Sequence, residues 1–84
     1  MDRNVINSDG TSLVQDVGDG FQTWNKAIGA DCGTIVTSPD GTLELWCDDD
    51  GLCRENPQLN QAASMLVGQQ IVGSVIVFYP GDIK

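Results

Sequence analysis

The chain has 84 residues, with twelve Asp and Glu against four Lys and Arg, for a net charge of −8 at pH 7. Apolar residues make up 40% and charged residues 19%, a globular mix that excludes a disordered tail and a fibre. There is no histidine, which excludes imidazole catalysis and imidazole metal ligation.

Such a short chain forms one domain with a small core, burying about 60–68% of its unfolded surface. Binding through nucleic-acid phosphates needs clustered Lys and Arg that release counterions. Arg3, Lys26, Arg54 and Lys84 are scattered, so no direct nucleic-acid contact is expected. An anionic membrane repels the chain in the same way. Its most apolar run, Ile71 to Tyr79, is broken by Gly73 and Ser74 and is about half the length of a membrane helix. The charge favours a basic protein surface as partner. Asp2 and Arg3 follow Met1 with no apolar stretch of signal-peptide type, so the expected location is the cytoplasm.

In chain order, Arg3–Asn7 and Thr11–Val17 are β-prone stretches separated by a turn at Ser8-Asp9-Gly10, which predicts a hairpin. Asp19-Gly20-Phe21-Gln22 then opens a helix, with Asp19 as the cap and Gln22 completing a capping box. Phe21, Trp24 and Ile28 share one helical face, and Gly29 suits a left-handed C-terminal residue. A second hairpin runs from Gly33–Thr37 through the turn Ser38-Pro39-Asp40-Gly41 to Thr42–Cys47. On its return strand Leu43, Leu45 and Cys47 point one way and Thr42, Glu44 and Trp46 the other. That alternation predicts one buried face and one partly wet.

The turn Asp48-Asp49-Asp50-Gly51 closes this strand, and Leu52-Cys53-Arg54 is a short stretch that can pair after it. Asn60 caps a second helix that runs through Ala62, Ala63, Met65, Leu66 and Val67 to Gly68. Val72–Phe78 is a Val/Ile run with little alternation, which reads as an interior strand covered on both faces. The order β-β-α-β-β-α-β predicts a small α+β domain, residues 1–84, with a mostly antiparallel sheet and two short helices.

Little in the sequence carries chemistry. Counted from Gly51, an EF-hand would put Trp46 at the first ligand position and Pro57 at the twelfth, so the acidic turn fails that motif. Cys32, Cys47 and Cys53 are odd in number and lack zinc-knuckle spacing, so reduced thiols are expected. Arg54 beside Cys53 is the one sequence-local cation for a thiolate. No serine has a histidine partner or a Gly-x-Ser-x-Gly elbow. Gly18-Asp19-Gly20 lacks the lysine and further glycines of a phosphate loop. No catalytic residue, metal ligand or cofactor is assigned. Phe21, Trp24 and Phe78 read as core. Trp46 is either covered by the second helix or is an aromatic anchor at an interface.

From Phe21 onward several blocks occur in a distinctive order. They are Ala27-Ile28-Gly29, a hairpin, Asp49-Asp50-Gly51-Leu52, Asn60 with Ala63, and Ile71-Val72-Gly73 leading into Ser74–Val77. In these blocks the chain resembles a small-protein family of bacteriophages and mobile elements, domain of unknown function 3846. Members often carry Glu-Glu-Gly where this chain has Asp49-Asp50-Gly51. The resemblance implies a phage or prophage origin and expression in a bacterial host, and it supplies no catalytic residue.

The leading expectation is a small, acidic, non-catalytic phage accessory protein that binds and modulates a host protein with a basic surface, in the host cytoplasm. Its candidate contacts are Glu44, Trp46, Asp48, Asp49 and Asp50. One alternative is a DNA mimic that inhibits a nucleic-acid-binding host enzyme. Another is a sponge for a nucleotide signal of antiphage defence, a homo-oligomer with pockets between subunits and backbone amides at Gly18–Gly20 or Gly29 on the phosphates. A structural or virion-associated component is a further alternative.

Overall fold

The computed structural model describes residues 2–53 and 55–80. Two hairpins come first: β1 (Asp2–Ile6) with β2 (Ser12–Asp16), and β3 (Gly33–Thr37) with β4 (Glu44–Asp48). Helix α1 (Phe21–Ile28) lies between them in sequence. Helix α2 (Gln61–Val67) and strand β5 (Val75–Phe78) follow the second hairpin. The strand order is β2-β1-β5-β4-β3, and every pairing is antiparallel. The last strand thus slides between the two hairpins and joins them into a single five-stranded sheet. This is the α+β domain that the element order predicts.

Each hairpin is set by local turn chemistry. In the first, Asn7 N–H donates to Thr11 O at 2.8 Å and Gly10 N–H donates to Asn7 O at 3.0 Å. Gly10 stands at φ 93°, a conformation a side chain would strain. In the second, Ser38 N–H donates to Leu43 O and Gly41 N–H to Ser38 O, each at 2.9 Å. Asp40 Oδ1 accepts from the Ser38 and Thr42 hydroxyls and from Thr42 N–H, which closes the loop on itself.

Because β5 is central, all four of its residues are buried, and alternate side chains serve opposite faces of the sheet. Val75 and Val77 join Ile6, Leu45 and Cys47 beneath Ala63 and Val67 of α2. Ile76 and Phe78 join Val5, Val17 and Trp46 beneath Trp24 of α1. The sheet is therefore covered on both sides. Each fully buried Val, Leu, Ile or Phe side chain stabilises by about 1.5–3 kcal/mol relative to exposure.

Several expectations are corrected. The cap of α1 is Gly20, not Asp19, and the Thr23 hydroxyl donates to Gly20 O and accepts from Gly20 N–H, where Gln22 was expected. Strand β4 starts at Glu44, and its second face is partly wet as expected at Glu44 and Asp48, which are half-buried, while Trp46 between them is buried. The helix over Trp46 is α1, not α2. Phe21 packs on this core yet stays 54% exposed. Gly51–Cys53 forms a single 3-10 turn in place of a paired stretch, and Arg54 lies outside the described residues. Val72 makes only an isolated bridge, to Leu59, so β5 is shorter than the apolar run.

Asn60 caps α2 as the sequence predicts, and it does more. Its Oδ1 accepts from Ala63 N–H at 3.0 Å. Its Nδ2 donates to Ile6 O and to Gly73 O, both at 2.9 Å. Its own N–H donates to Ile71 O at 2.8 Å. One fully buried amide thus ties α2 to β1 and to the segment entering β5.

Candidate functional site

The five candidate contacts are all on β4 or in the turn that follows it, but the strand divides them. Glu44 is the first residue of β4, half-buried between Thr37 and Phe78. Asp48 is the last, four residues on, a separation of about 13 Å at strand rise. Trp46 stands between them and presents no surface to a partner. Its ring stacks under Phe21 with centroids 5.1 Å apart and planes 6° from parallel. Its indole N–H donates to Asn25 Oδ1 at 2.9 Å. Trp24 and Phe78 complete the cluster, with ring centroids 4.8 Å apart.

The site that remains is the acidic turn, held by backbone geometry. Asp48 Oδ1 accepts from Asp50 N–H at 3.0 Å, and Asp50 O accepts from Cys53 N–H at 3.0 Å. Asp49 N–H donates to Cys32 O at 3.0 Å, extending the β3–β4 register past Gly33 and Asp48. Asp48, Asp49 and Asp50 are consecutive at this end of β4, and Asp31 immediately precedes the Cys32 that bonds Asp49.

The negative field at this end reaches Cys47. Burial, and then the Asp48 and Asp49 charges, push its thiol up to about 11. Cys47 is therefore an inert thiol, whereas Cys32 and Cys53 are exposed and free. Among the described residues no three Cys, Asp or Glu side chains come together as a metal set. No helix among them is long and apolar enough to cross a membrane.

A concavity of about 140 Å³ lies beside the acidic turn, lined by Thr34, Val36, Cys47, Asp48, Asp49 and Ile71. That is below the ~300–1,000 Å³ of small-molecule pockets. Three of the four amides expected for a phosphate cage donate inside the chain. Gly18 N–H donates to Asp16 Oδ1 at 2.9 Å, Gly20 N–H to Thr23 Oγ1 at 3.3 Å, and Gly29 N–H to Lys26 O at 3.3 Å. No family model, curated protein or solved structure matches the chain.

Proposed function

We propose that the protein is a non-catalytic, phage-encoded accessory protein that binds a basic surface of a host protein in the bacterial cytoplasm and modulates its activity. The observation that carries this reading is the run of three carboxylates, Asp48, Asp49 and Asp50, in the hydrogen-bonded turn that closes β4. A partner's Lys and Arg side chains would complement that negative charge on binding. The hairpin geometry holds the acids in place beforehand, so little ordering entropy is lost in the complex. Glu44 lies at the other end of β4 and Trp46 in the core, so the contacts narrow to the turn. The phage origin rests on the resemblance of the Ile28-Gly29, Asp49-Asp50-Gly51, Asn60 and Ile71–Val77 blocks.

Affinity capture of the tagged protein from host lysate tests the reading. A single stoichiometric protein that dissociates as salt rises is the expected result. Replacing Asp48, Asp49 and Asp50 with Asn should weaken its capture about tenfold or more, since rim charges act mainly on association and salt dependence. Unchanged affinity at low salt would remove the acidic turn from the interface. Competition by duplex DNA for the same partner would shift the reading to a DNA mimic.

A further inference from the structure

We propose that Asp50-Gly51 is a self-modification site, where the Gly51 backbone nitrogen closes on the Asp50 side-chain carboxyl and water reopens the ring to a β-linked isoaspartate. The chain holds four Asp-Gly pairs, at Asp9, Asp19, Asp40 and Asp50. In each, the glycine has no Cβ to shield its nitrogen from the preceding side chain. The step needs two free groups: a backbone N–H that bonds to nothing else and a carboxyl that can turn toward it. What separates the four pairs is whether the fold leaves both groups free.

Three of the pairs are engaged. Asp9 Oδ1 accepts from the Thr11 hydroxyl at 2.7 Å and from Thr11 N–H at 2.9 Å, while Gly10 N–H donates to Asn7 O. Asp40 Oδ1 accepts from the Ser38 and Thr42 hydroxyls, both at 2.8 Å, while Gly41 N–H donates to Ser38 O. Gly20 N–H donates to Thr23 Oγ1 at the start of α1, and Asp19 has a contact of its own. The Thr11 hydroxyl foremost for Asp9, and the Ser38 hydroxyl for Asp40, also hold these carboxyls below their ordinary value of 3.8. An ionised carboxyl has no water to shed, so both are further protected. Asp50 differs. It is exposed and held only through its main chain, its N–H donating to Asp48 Oδ1 and its O accepting from Cys53 N–H. Among the described residues nothing donates to the Asp50 carboxyl, and nothing accepts from Gly51 N–H.

Only water is exchanged. The Gly51 nitrogen bonds to Asp50 Cγ, one carboxyl oxygen leaves as water with the carboxyl proton and the amide proton, and a succinimide results. Water then adds back and breaks one of the nitrogen's two bonds to carbonyl carbon. Breaking the bond to Cγ restores aspartate. Breaking the bond to the main-chain carbonyl leaves the chain running through Cγ, one methylene longer, with the former Asp50 carbonyl as a free carboxylate. The charge of the turn is kept and its shape is not. The carbonyl that accepts from Cys53 N–H is the one converted, and Gly51, buried beside Val72, must shift. The Asp48 and Asp49 carboxylates take no part. The step also needs no partner, so it is independent of the turn as a binding face and is tested on the purified chain.

The test is incubation of the folded chain at mildly acidic pH and physiological temperature. Digestion and electron-transfer fragmentation then locate any methylene added to the main chain. The expected result is isoaspartate at Asp50, preceded by a species lighter by one water. A hydrogen bond that must open first slows closure by about fivefold, so Asp9, Asp19 and Asp40 should each react at least that much more slowly. In denaturant those bonds are gone, and the four sites should react at similar rates. Asp50→Glu keeps the charge but must close a larger ring, so it should abolish the signal at this position and leave the other three unchanged. Far-UV circular dichroism establishes that the variant is folded, and the comparison of folded with denatured wild type decides the matter if it is not. Absence of isoaspartate at Asp50 in the folded chain would overturn the proposal. So would equal rates at the four sites before denaturation, a faster reaction at Asp9 or Asp40, or a signal that survives Asp50→Glu.

Discussion

The two faces of the sheet reach the same degree of burial by different means. On the α1 side the core is aromatic: Phe21, Trp24, Trp46 and Phe78 fill the space with few, large, mutually oriented rings. Both indole N–H groups find acceptors there, Trp24 on Gly18 O and Trp46 on Asn25 Oδ1. On the α2 side the core is aliphatic and small, and the seven-residue helix gives it little area to pack against. What holds α2 in place is a hydrogen-bond knot. Asn60 binds three backbone groups through its side chain. The Ser64 hydroxyl donates to Asn60 O at 2.7 Å and accepts from Ile71 N–H at 2.8 Å. One face is thus held by area and the other by a few directional contacts.

That difference predicts where single substitutions do most harm. Asn60→Ala should be the worst, because it leaves Ile6 O, Gly73 O and Ala63 N–H buried without their partner. At ~1–3 kcal/mol for each unsatisfied group, the three together cost ~3–9 kcal/mol. Total stability at ~0.05–0.15 kcal/mol per residue is only a few times larger at most, so chemical denaturation should find the variant barely folded. Trp46→Ala comes next, at about 3–5 kcal/mol for a large aromatic side chain removed from a core. If Trp46→Ala proved far costlier than Asn60→Ala, area would dominate on both faces and the contrast would fail.

Gly33→Ala sharpens the comparison by adding atoms. Gly33 pairs with Asp48 on the α1 side, and a Cβ there would collide with the Trp46 indole and Asn25 Oδ1. The absent side chain is what admits the indole. Overpacking of this kind costs about 1–3 kcal/mol, and the melting temperature should fall accordingly. Cys47 reports on the other face. Cys32 and Cys53 should react with a thiol reagent in the native protein at mildly alkaline pH, and Cys47 only after the α2 side opens. Because its folded pKa is raised to about 11 from 9.0, the stabilisation from the neutral thiol is complete below pH 9 and is lost as pH rises through 11. Asn60→Ala should speed Cys47 labelling more than Gly33→Ala does.

How legible this was follows from how local each signal is. The Asp9-Gly10 and Asp40-Gly41 turns, the left-handed Gly29 and Gly68 at the helix ends, and the Asn60 cap all lie within a few residues of what they determine. The alternation on β4 separated Leu45 and Cys47 from Trp46 correctly, but alternation does not say which helix lies over which side. That choice depends on β5 entering between β1 and β4, a pairing between residues some seventy positions apart, such as Val5 with Ile76. No short pattern encodes it. For the same reason the sequence left Trp46 open between a covered position and a surface anchor, and it is core. The α1 cap was misplaced by one residue because Asp19 and Gly20 are both suitable caps, and the Thr23 hydroxyl decides between them. The acidic turn was legible because it is contiguous.

The smallest expected effect concerns the second hairpin's turn, outside either core. The Ser38 and Thr42 hydroxyls and Thr42 N–H hold the Asp40 carboxyl below its ordinary value of 3.8. A carboxyl whose folded pKa is depressed stabilises the fold above its unfolded pKa and loses that contribution as pH falls through the folded one. Wild type should therefore melt slightly higher than Asp40→Asn at neutral pH, and the two should converge as pH drops below 3.8. Asp40 is fully exposed, so solvent screening keeps the gap well below that of any core substitution. A gap that persists undiminished in strong acid would mean that the turn is held by the shape of the Asp40 side chain and not by its charge.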